Sequence, residues 1–297
     1  MNIDFTNCTV NPLKIYGGAN GSKIGVIYNN KNYMLKFPPI AKNNHLMSYA
    51  NSSFSEYIAC NIIKTLDVPV QETLLGLYND KIVVACKDLA INNYVIKDFA
   101  FLKNTIVDSL ENGYGTDLNE ILNTIETQNL IDNKVLKEYF WDMFVIDAFL
   151  GNFDRHNGNW GFLINDMKQD VKIAPIYDCG SCLYPQLLDE QMKNILLSQA
   201  EIDKRIYTFP NSALKENGVK INYYNFLTTT NNTDCIKSLK KIKSRIDLIQ
   251  INKIIENTPY ISKTYKEFIC RMLSERKHKI LDKAYNLQKN RENSLER

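Results

Sequence analysis

Glycine and proline are scarce in this 297-residue chain, at 12 and 8 residues. With 44% hydrophobic and 23% charged residues, that composition excludes a disordered or low-complexity polypeptide. No run of 18 apolar residues occurs, so no membrane-spanning helix is expected. The first residues, M-N-I-D-F-T-N-C, lack the basic and apolar regions of a secretory leader, and a cytoplasmic protein without a membrane partner is the expectation. One-sided charge is absent as well: Lys and Arg total 36 against 33 acidic residues, a net +3. That is too little to point to direct nucleic-acid binding.

A disulfide or metal scaffold is also missing. The seven cysteines, Cys8, Cys60, Cys86, Cys179, Cys182, Cys235 and Cys270, are odd in number and mostly lie in hydrophobic stretches, which fits reduced core thiols. Cys179-Gly180-Ser181-Cys182 has metal or redox spacing. It has no second such pair to complete four ligands, and His45, His156 and His278 lie far apart, so it reads as packing beside Asp178. No internal repeat occurs.

What is present is enough chain for a large core or two lobes around a cleft, because single cores stop growing at roughly 250 to 300 residues. Segments rich in Ile, Val and Tyr at 13–16, 23–28 and 32–37 read as short strands separated by G-G-A-N-G-S and N-N-K. A helix is expected at about 53–66, where Phe54, Ile58 and Ile62 recur every four residues, and a hairpin at 70–77 and 81–86. From about 98 the pattern turns helical. Its clearest element, 132–150, carries Leu136, Phe140, Met143, Phe144 and Phe149 and stops at Gly151. Two short strands at 160–164 and 171–173 would form an antiparallel pair, bringing Asn159 and Asp178 at its open ends together. Beyond 185 the chain reads as helical, ending in a long charged helix at about 263–290. The expected fold is α+β: a small antiparallel-sheet lobe with one helix over 1–88 and a mainly helical lobe over 89–297.

The chemistry-bearing run is G-N-F-D-R-H-N-G-N-W-G. It sets Asp154 and Asn159 five positions apart, and Asp178 follows in I-A-P-I-Y-D-C-G. An acid that takes a hydroxyl proton, an amide that holds metal and a later metal-holding acid before Gly are the parts of a phosphoryl-transfer site, in that order. Asn159 and Asp178 are hard oxygen ligands suited to Mg²⁺. Lys36, in Y-M-L-K-F, points to the strand face opposite Leu35 and Phe37 and is placed to reach phosphates. Glu56 has two readings: partner of Lys36, or the glutamate of a capping box in Ser53-Phe54-Ser55-Glu56. Gly17, Gly18, Ala19, Asn20, Gly21, Ser22 and Lys23 join two strands, so a Rossmann or Walker loop is excluded by context. Their backbone amides and Lys23 are candidates to cover nucleotide phosphates, and Ser22 is a candidate phosphorylation site. Arg155 and His156 hold the loop, contact phosphate or bind Asp178, and the spacing does not choose.

These strings, with Y-M-L-K-F-P and S-E-Y, resemble the HipA-like serine/threonine kinases over about residues 15–185, in particular a short branch without the extra N-terminal subdomain of full-length HipA toxins. The resemblance implies a two-lobed kinase-like fold that uses ATP and Mg²⁺, phosphorylates serine or threonine hydroxyls of a protein substrate, and phosphorylates itself. It implies that Lys36 holds the α/β-phosphates, Asp154 is the catalytic acid/base, and Asn159 with Asp178 hold metal. Ala85, Cys86 and Lys87 then form the hinge that binds adenine, and an antitoxin-like regulator is a partner of the longer members. Two other functions share parts of the pattern: a small-molecule phosphotransferase, whose first acid usually follows His-Gly where this chain has Asn152-Phe153, and a nucleotide-binding scaffold that transfers no phosphate.

Overall fold

The computed structural model describes residues 3–16, 22–38, 51–106 and 113–295. Strands β1 (Ile3–Asp4), β2 (Thr9–Val10), β3 (Lys23–Tyr28) and β4 (Lys31–Lys36) come first, then helix α1 (Ser52–Thr65) and strands β5 (Thr73–Tyr78) and β6 (Lys81–Lys87). They form one six-stranded sheet in the order β1-β5-β6-β4-β3-β2. Only β1 with β5 is a parallel pair, so the sheet is mixed where an antiparallel one was expected. Alternation sorts its side chains onto two faces. Phe5, Val26, Tyr33, Leu35, Val83 and Ala85 make a small core on one face. Leu75 on the other joins Phe54, Ile58 and Ile62 of α1 in the main core. Lys36, next to Leu35, therefore faces α1.

The segment 13–16 is not a strand. Asn11 turns the chain, accepting from Leu13 N at 3.1 Å and Lys14 N at 3.2 Å, and Leu13 and Ile15 are 90% and 91% exposed. An Asx-type turn won over β propensity. The strand expected from residue 70 begins at Thr73, because Val70 instead bridges Ile176, with Gln71 N donating to Ile176 O at 2.8 Å.

Strand β7 (Val95–Asp98) precedes helices α2 (Phe99–Ile106), α3 (Leu118–Thr127) and α4 (Asn133–Leu150), and β8 (Gly161–Asn165) and β9 (Asp170–Ile173) follow. Asp132 caps α4 by accepting from Lys134 N and Val135 N, and Gly151 ends it in the left-handed region at φ 68°, the usual device for stopping a helix. From Phe140 to Leu150 every residue of α4 is buried, so this part of the helix is enclosed on all sides and the loop after it is rooted in the core. Strands β7, β8 and β9 form an antiparallel sheet with β8 central. Pairing of Phe162 with Ile173, and of Ala174 N with Gly161 O at 2.9 Å, closes the hairpin whose open ends carry Asn159 and Asp178. The remainder comprises α5 (Asp189–Leu196), α6 (Gln199–Tyr207), the hairpin β10 (Lys215–Glu216) and β11 (Val219–Lys220), and α7 (Tyr223–Thr229), α8 (Thr233–Arg245), α9 (Leu248–Glu256), α10 (Lys263–Arg276) and α11 (Lys283–Leu295). The long terminal helix is interrupted by a π-helical turn at Lys277–Asp282. Strand β7 lies in a stretch to which no element was assigned, while β10 and β11 fall where helix was expected; these two are only two residues long, too short for a periodic signal.

Gly161 is required by close packing. A Cβ there would lie 2.2 Å from Lys97 O and 2.7 Å from Asp98 Cα, both backbone atoms of β7. Gly161→Ala should cost about 1–3 kcal/mol of stability by urea unfolding; no loss would contradict this approach of β7 to β8.

Candidate active site

Lys36 is the last residue of β4, and its Nζ donates to both oxygens of Glu56 at 2.7 and 2.8 Å and to Asp178 Oδ1 at 3.0 Å. The side chains of Lys36 and Glu56 are 15% and 3% exposed, that of Asp178 44%. Burial works against the Lys36 ammonium, but Asp178 and Glu56 outweigh it and push its pKa well above the ordinary value. Burial pushes the Glu56 carboxyl up and Lys36 pulls it back. The capping-box alternative does not form: α1 begins at Ser52 with Asn51 at its cap position and no side-chain cap bond, while Glu56 is spent on Lys36. Asn51 instead ties α1 to the chain beyond Asp178, its N and Nδ2 donating to Pro185 O at 3.1 Å and Leu187 O at 2.7 Å.

The loop after α4 alternates inward and outward residues. Asn152, Arg155, Asn157 and Asn159 are buried, and Phe153, Asp154 and His156 are half-buried. Each buried residue anchors the loop. Asn152 donates from Nδ2 to Asp147 Oδ1 at 2.8 Å and accepts at its carbonyl from Tyr223 Oη at 2.6 Å. Asn157 Nδ2 donates to Gly113 O and Gly115 O, both at 2.8 Å. Asn159 Nδ2 donates to Asp154 O at 2.8 Å, which fixes the amide so that its Oδ1 is left for another partner. Asp154 N donates to Asn152 Oδ1 at 3.1 Å, and the ring of His156 accepts from Gly158 N at 3.0 Å. Burial raises the Asp154 pKa; His156 and Arg155 oppose that, and Asp178 adds to it. Asp154 and Asp178 thus share one electrostatic neighbourhood. Asp178 itself has φ 56°, left-handed backbone that favours Gly and tolerates Asp and Asn.

Other candidates are placed differently. Lys23 pairs with Lys36 across β3 and β4, Ser22 O accepts from Phe37 N at 3.1 Å, and burial and the Lys36 charge lower the Lys23 pKa. Gly17, Gly18, Ala19, Asn20 and Gly21 lie outside the described residues. Ala85, Cys86 and Lys87 are strand residues: Ala85 pairs with Leu74 and Leu35, Cys86 with Thr73 and Met34. The backbone of Lys87 is engaged by Glu72 O and Gln71 Nε2, both at 2.9 Å. All three are bonded within the sheet, and the ladder runs on to Asp88, whose N donates to Asn32 O at 2.9 Å. Cys179 and Cys182 are fully buried. Hydrogen bonds from Cys182 and Cys60, together with Arg155, hold the Cys179 thiol well below its ordinary pKa.

The residue pattern alone assigns Asp147 and Tyr223 no role in the site, and Asn152 and Asn157 none as anchors of the loop. A signal existed for Asp147: an acid inside the buried run F-V-I-D-A-F-L must have a partner.

A curled sheet with one helix, a helical body, and between them a Lys–Glu pair and an acid-amide-acid set define a kinase-like architecture. The chain belongs to the HipA-like family: the family model described as HipA-like C-terminal domain matches residues 16–252. The serine/threonine-protein kinase CtkA of Helicobacter pylori is 54% identical over 284 residues, covering 95% of this chain and 87% of that protein. The crystal structure of a Helicobacter pylori proinflammatory kinase CtkA superposes with a TM-score of 0.92 at 52% identity, over 97% of this chain and 98% of that one. The HipA of Shewanella oneidensis, solved with HipB and its operator DNA, gives a TM-score of 0.56 at 13% identity over 94% and 70% of the two chains, a likeness of fold. No helix among the described residues is long and apolar enough to cross a membrane.

Lys36, ahead of opposing burial, holds the Asp178 carboxyl below its ordinary 3.8. A depressed folded-state value stabilises the fold above the unfolded value, and that stabilisation is lost as pH falls through the folded one. Wild type should therefore be more stable than Asp178→Asn at pH 7, and the gap should narrow as pH drops below about 4. Asn suits the left-handed backbone, so urea unfolding of the two proteins reads the charge; a gap independent of pH would contradict the ion pair.

Proposed function

We propose that the chain is an ATP-dependent serine/threonine protein kinase of HipA-like type whose phosphotransfer centre is built by Lys36, Glu56, Asp154, Asn159 and Asp178. The observation that carries this is the junction of Lys36 with Glu56 and Asp178 beside the loop of Asp154 and Asn159. Identity to a serine/threonine-protein kinase over nearly the whole chain supports it. Lys36, fixed by Glu56, is the cation for the α/β-phosphates; Lys23 lies across the ladder from it. The residues 1–88 are taken as the nucleotide-covering lobe and 89–297 as the catalytic lobe. Adenine is assigned to the backbone where β6 ends, from Ala85, Cys86 and Lys87 to Asp88 and Leu89.

The residues fit Mg²⁺. Asn159 Oδ1 and the part-exposed Asp178 carboxylate are hard oxygens. Two such oxygens suffice for an ion that keeps waters and binds through few protein groups plus phosphate. Magnesium, when bound there, neutralises phosphate charge. Asp154 accepts the proton of the serine or threonine hydroxyl, and its raised pKa makes the carboxylate a better base than an ordinary aspartate. The hydroxyl is that of a protein substrate, and the protein's own hydroxyls serve as acceptors in autophosphorylation. The cytoplasm, which supplies ATP, is the proposed location.

With labelled ATP and Mg²⁺, wild type should form phosphoserine or phosphothreonine, and Asp154→Asn should lower the rate by about 10²–10⁴-fold. Undiminished incorporation in that variant would refute the assignment.

A further inference from the structure

Asp178 holds its carboxylate toward Lys36 from left-handed backbone, φ 56°, a conformation that Asp tolerates. The group that holds this backbone in place is Arg155. This guanidinium, in a residue 3% exposed, donates through Nη1 to the carbonyls of Tyr177 and Asp178, the latter at 3.5 Å, and to Asn159 O at 2.8 Å. Nη2 reaches Cys179 Sγ at 3.5 Å. One planar cation thus grips the backbone on both sides of Asp178 and the backbone of Asn159. Its remaining face is fixed by Asp147 of α4, with Nε to Oδ2 at 3.0 Å and Nη2 to Oδ1 at 3.3 Å. Asp147 is 2% exposed and is held in turn by Asn152 Nδ2. Arg155 touches neither the Asp154 carboxylate nor the cleft-facing atoms of Asp178; its partners are carbonyls, one buried acid and a thiol.

We infer that Arg155, oriented by Asp147, is a positioning residue that sets the separation of Asn159 and Asp178 and thereby the cation affinity of the pair. This rests on the reading of Asn159 and Asp178 as the metal-facing pair. Lysine cannot replace the guanidinium, because a single ammonium lacks the planar fork that reaches three carbonyls, a thiol and a bidentate acid together. The effect is specific to the cation: Lys36, held by Glu56 of α1, is the group that reaches nucleotide phosphates, and Arg155 bonds to neither residue.

The test is Mn²⁺ binding, read by loss of the free-ion electron paramagnetic resonance signal, to full-length protein saturated with a non-hydrolysable ATP analogue. Affinity for the analogue without metal and thermal melting are measured alongside. Arg155→Lys and Asp147→Asn should each weaken Mn²⁺ binding by about tenfold or more while leaving the metal-free nucleotide affinity unchanged. Asp178→Asn is the control: if it leaves Mn²⁺ binding at the wild-type value, the reading of the metal-facing pair has failed, whatever the other variants do. If Asp178→Asn weakens Mn²⁺ binding and a folded Arg155→Lys or Asp147→Asn does not, the inference is overturned. It is overturned equally if metal and nucleotide affinities fall together, or if both variants are unfolded at the assay temperature, since Arg155 then supports the fold at large.

Discussion

One ammonium between two carboxylates organises this molecule. Lys36 comes from the sheet, Glu56 from the helix after it and Asp178 from the hairpin loop of the helical body, so one contact fixes three separately built parts. Taking Lys36 and Glu56 out of water is costly, and such a pair returns that cost only with close geometry and every polar atom used. Here Nζ reaches both Glu56 oxygens and Asp178 Oδ1, and the asymmetry of burial matters. Glu56 is enclosed and serves to hold the lysine, whereas Asp178 keeps nearly half of its side-chain surface open and remains available to a ligand.

The second support is the buried polar frame under the catalytic loop. Asn152, Asn157 and Arg155 point inward and bond to carbonyls and to Asp147, which leaves Asp154 and His156 directed outward on a loop whose backbone has little freedom. Rigidity of this kind is what catalytic positioning needs, since reacting groups a fraction of an ångström out of place lose much of their rate advantage. The same frame explains why α4 is buried on all sides from Phe140 to Leu150: it roots both Asp147 and the start of the loop in the main core.

Much of this was legible from residues alone. The strands at 23–28 and 81–86, the helix carrying Phe54, Ile58 and Ile62, the α4 stop at Gly151 and the hairpin joining Asn159 to Asp178 all follow from periodicity and turn chemistry. The kinase-like fold and the HipA-like family followed from the motif strings. Other features were not readable, for identifiable reasons. A two-residue strand such as β1 has no period, and its pairing with β5 is a long-range event. Leu13 and Ile15 carry β propensity but are overruled by the Asn11 turn. Glu56 satisfied two local rules at once, and only the three-dimensional position of Lys36 separated them. Ala85, Cys86 and Lys87 lie within the sheet, and a strand residue with both neighbours in the sheet looks, in sequence, like one at a sheet edge.

The most direct measurement is a crystal structure with a non-hydrolysable ATP analogue and Mn²⁺, using anomalous scattering to locate the metal. The account predicts α/β-phosphate oxygens at Lys36 Nζ with the Lys36–Glu56 pair intact, and a manganese peak bonded to Asn159 Oδ1 and an Asp178 carboxylate oxygen, with Asp154 facing the γ-phosphate. A nucleotide bound elsewhere, or a metal peak away from both Asn159 and Asp178, would contradict it.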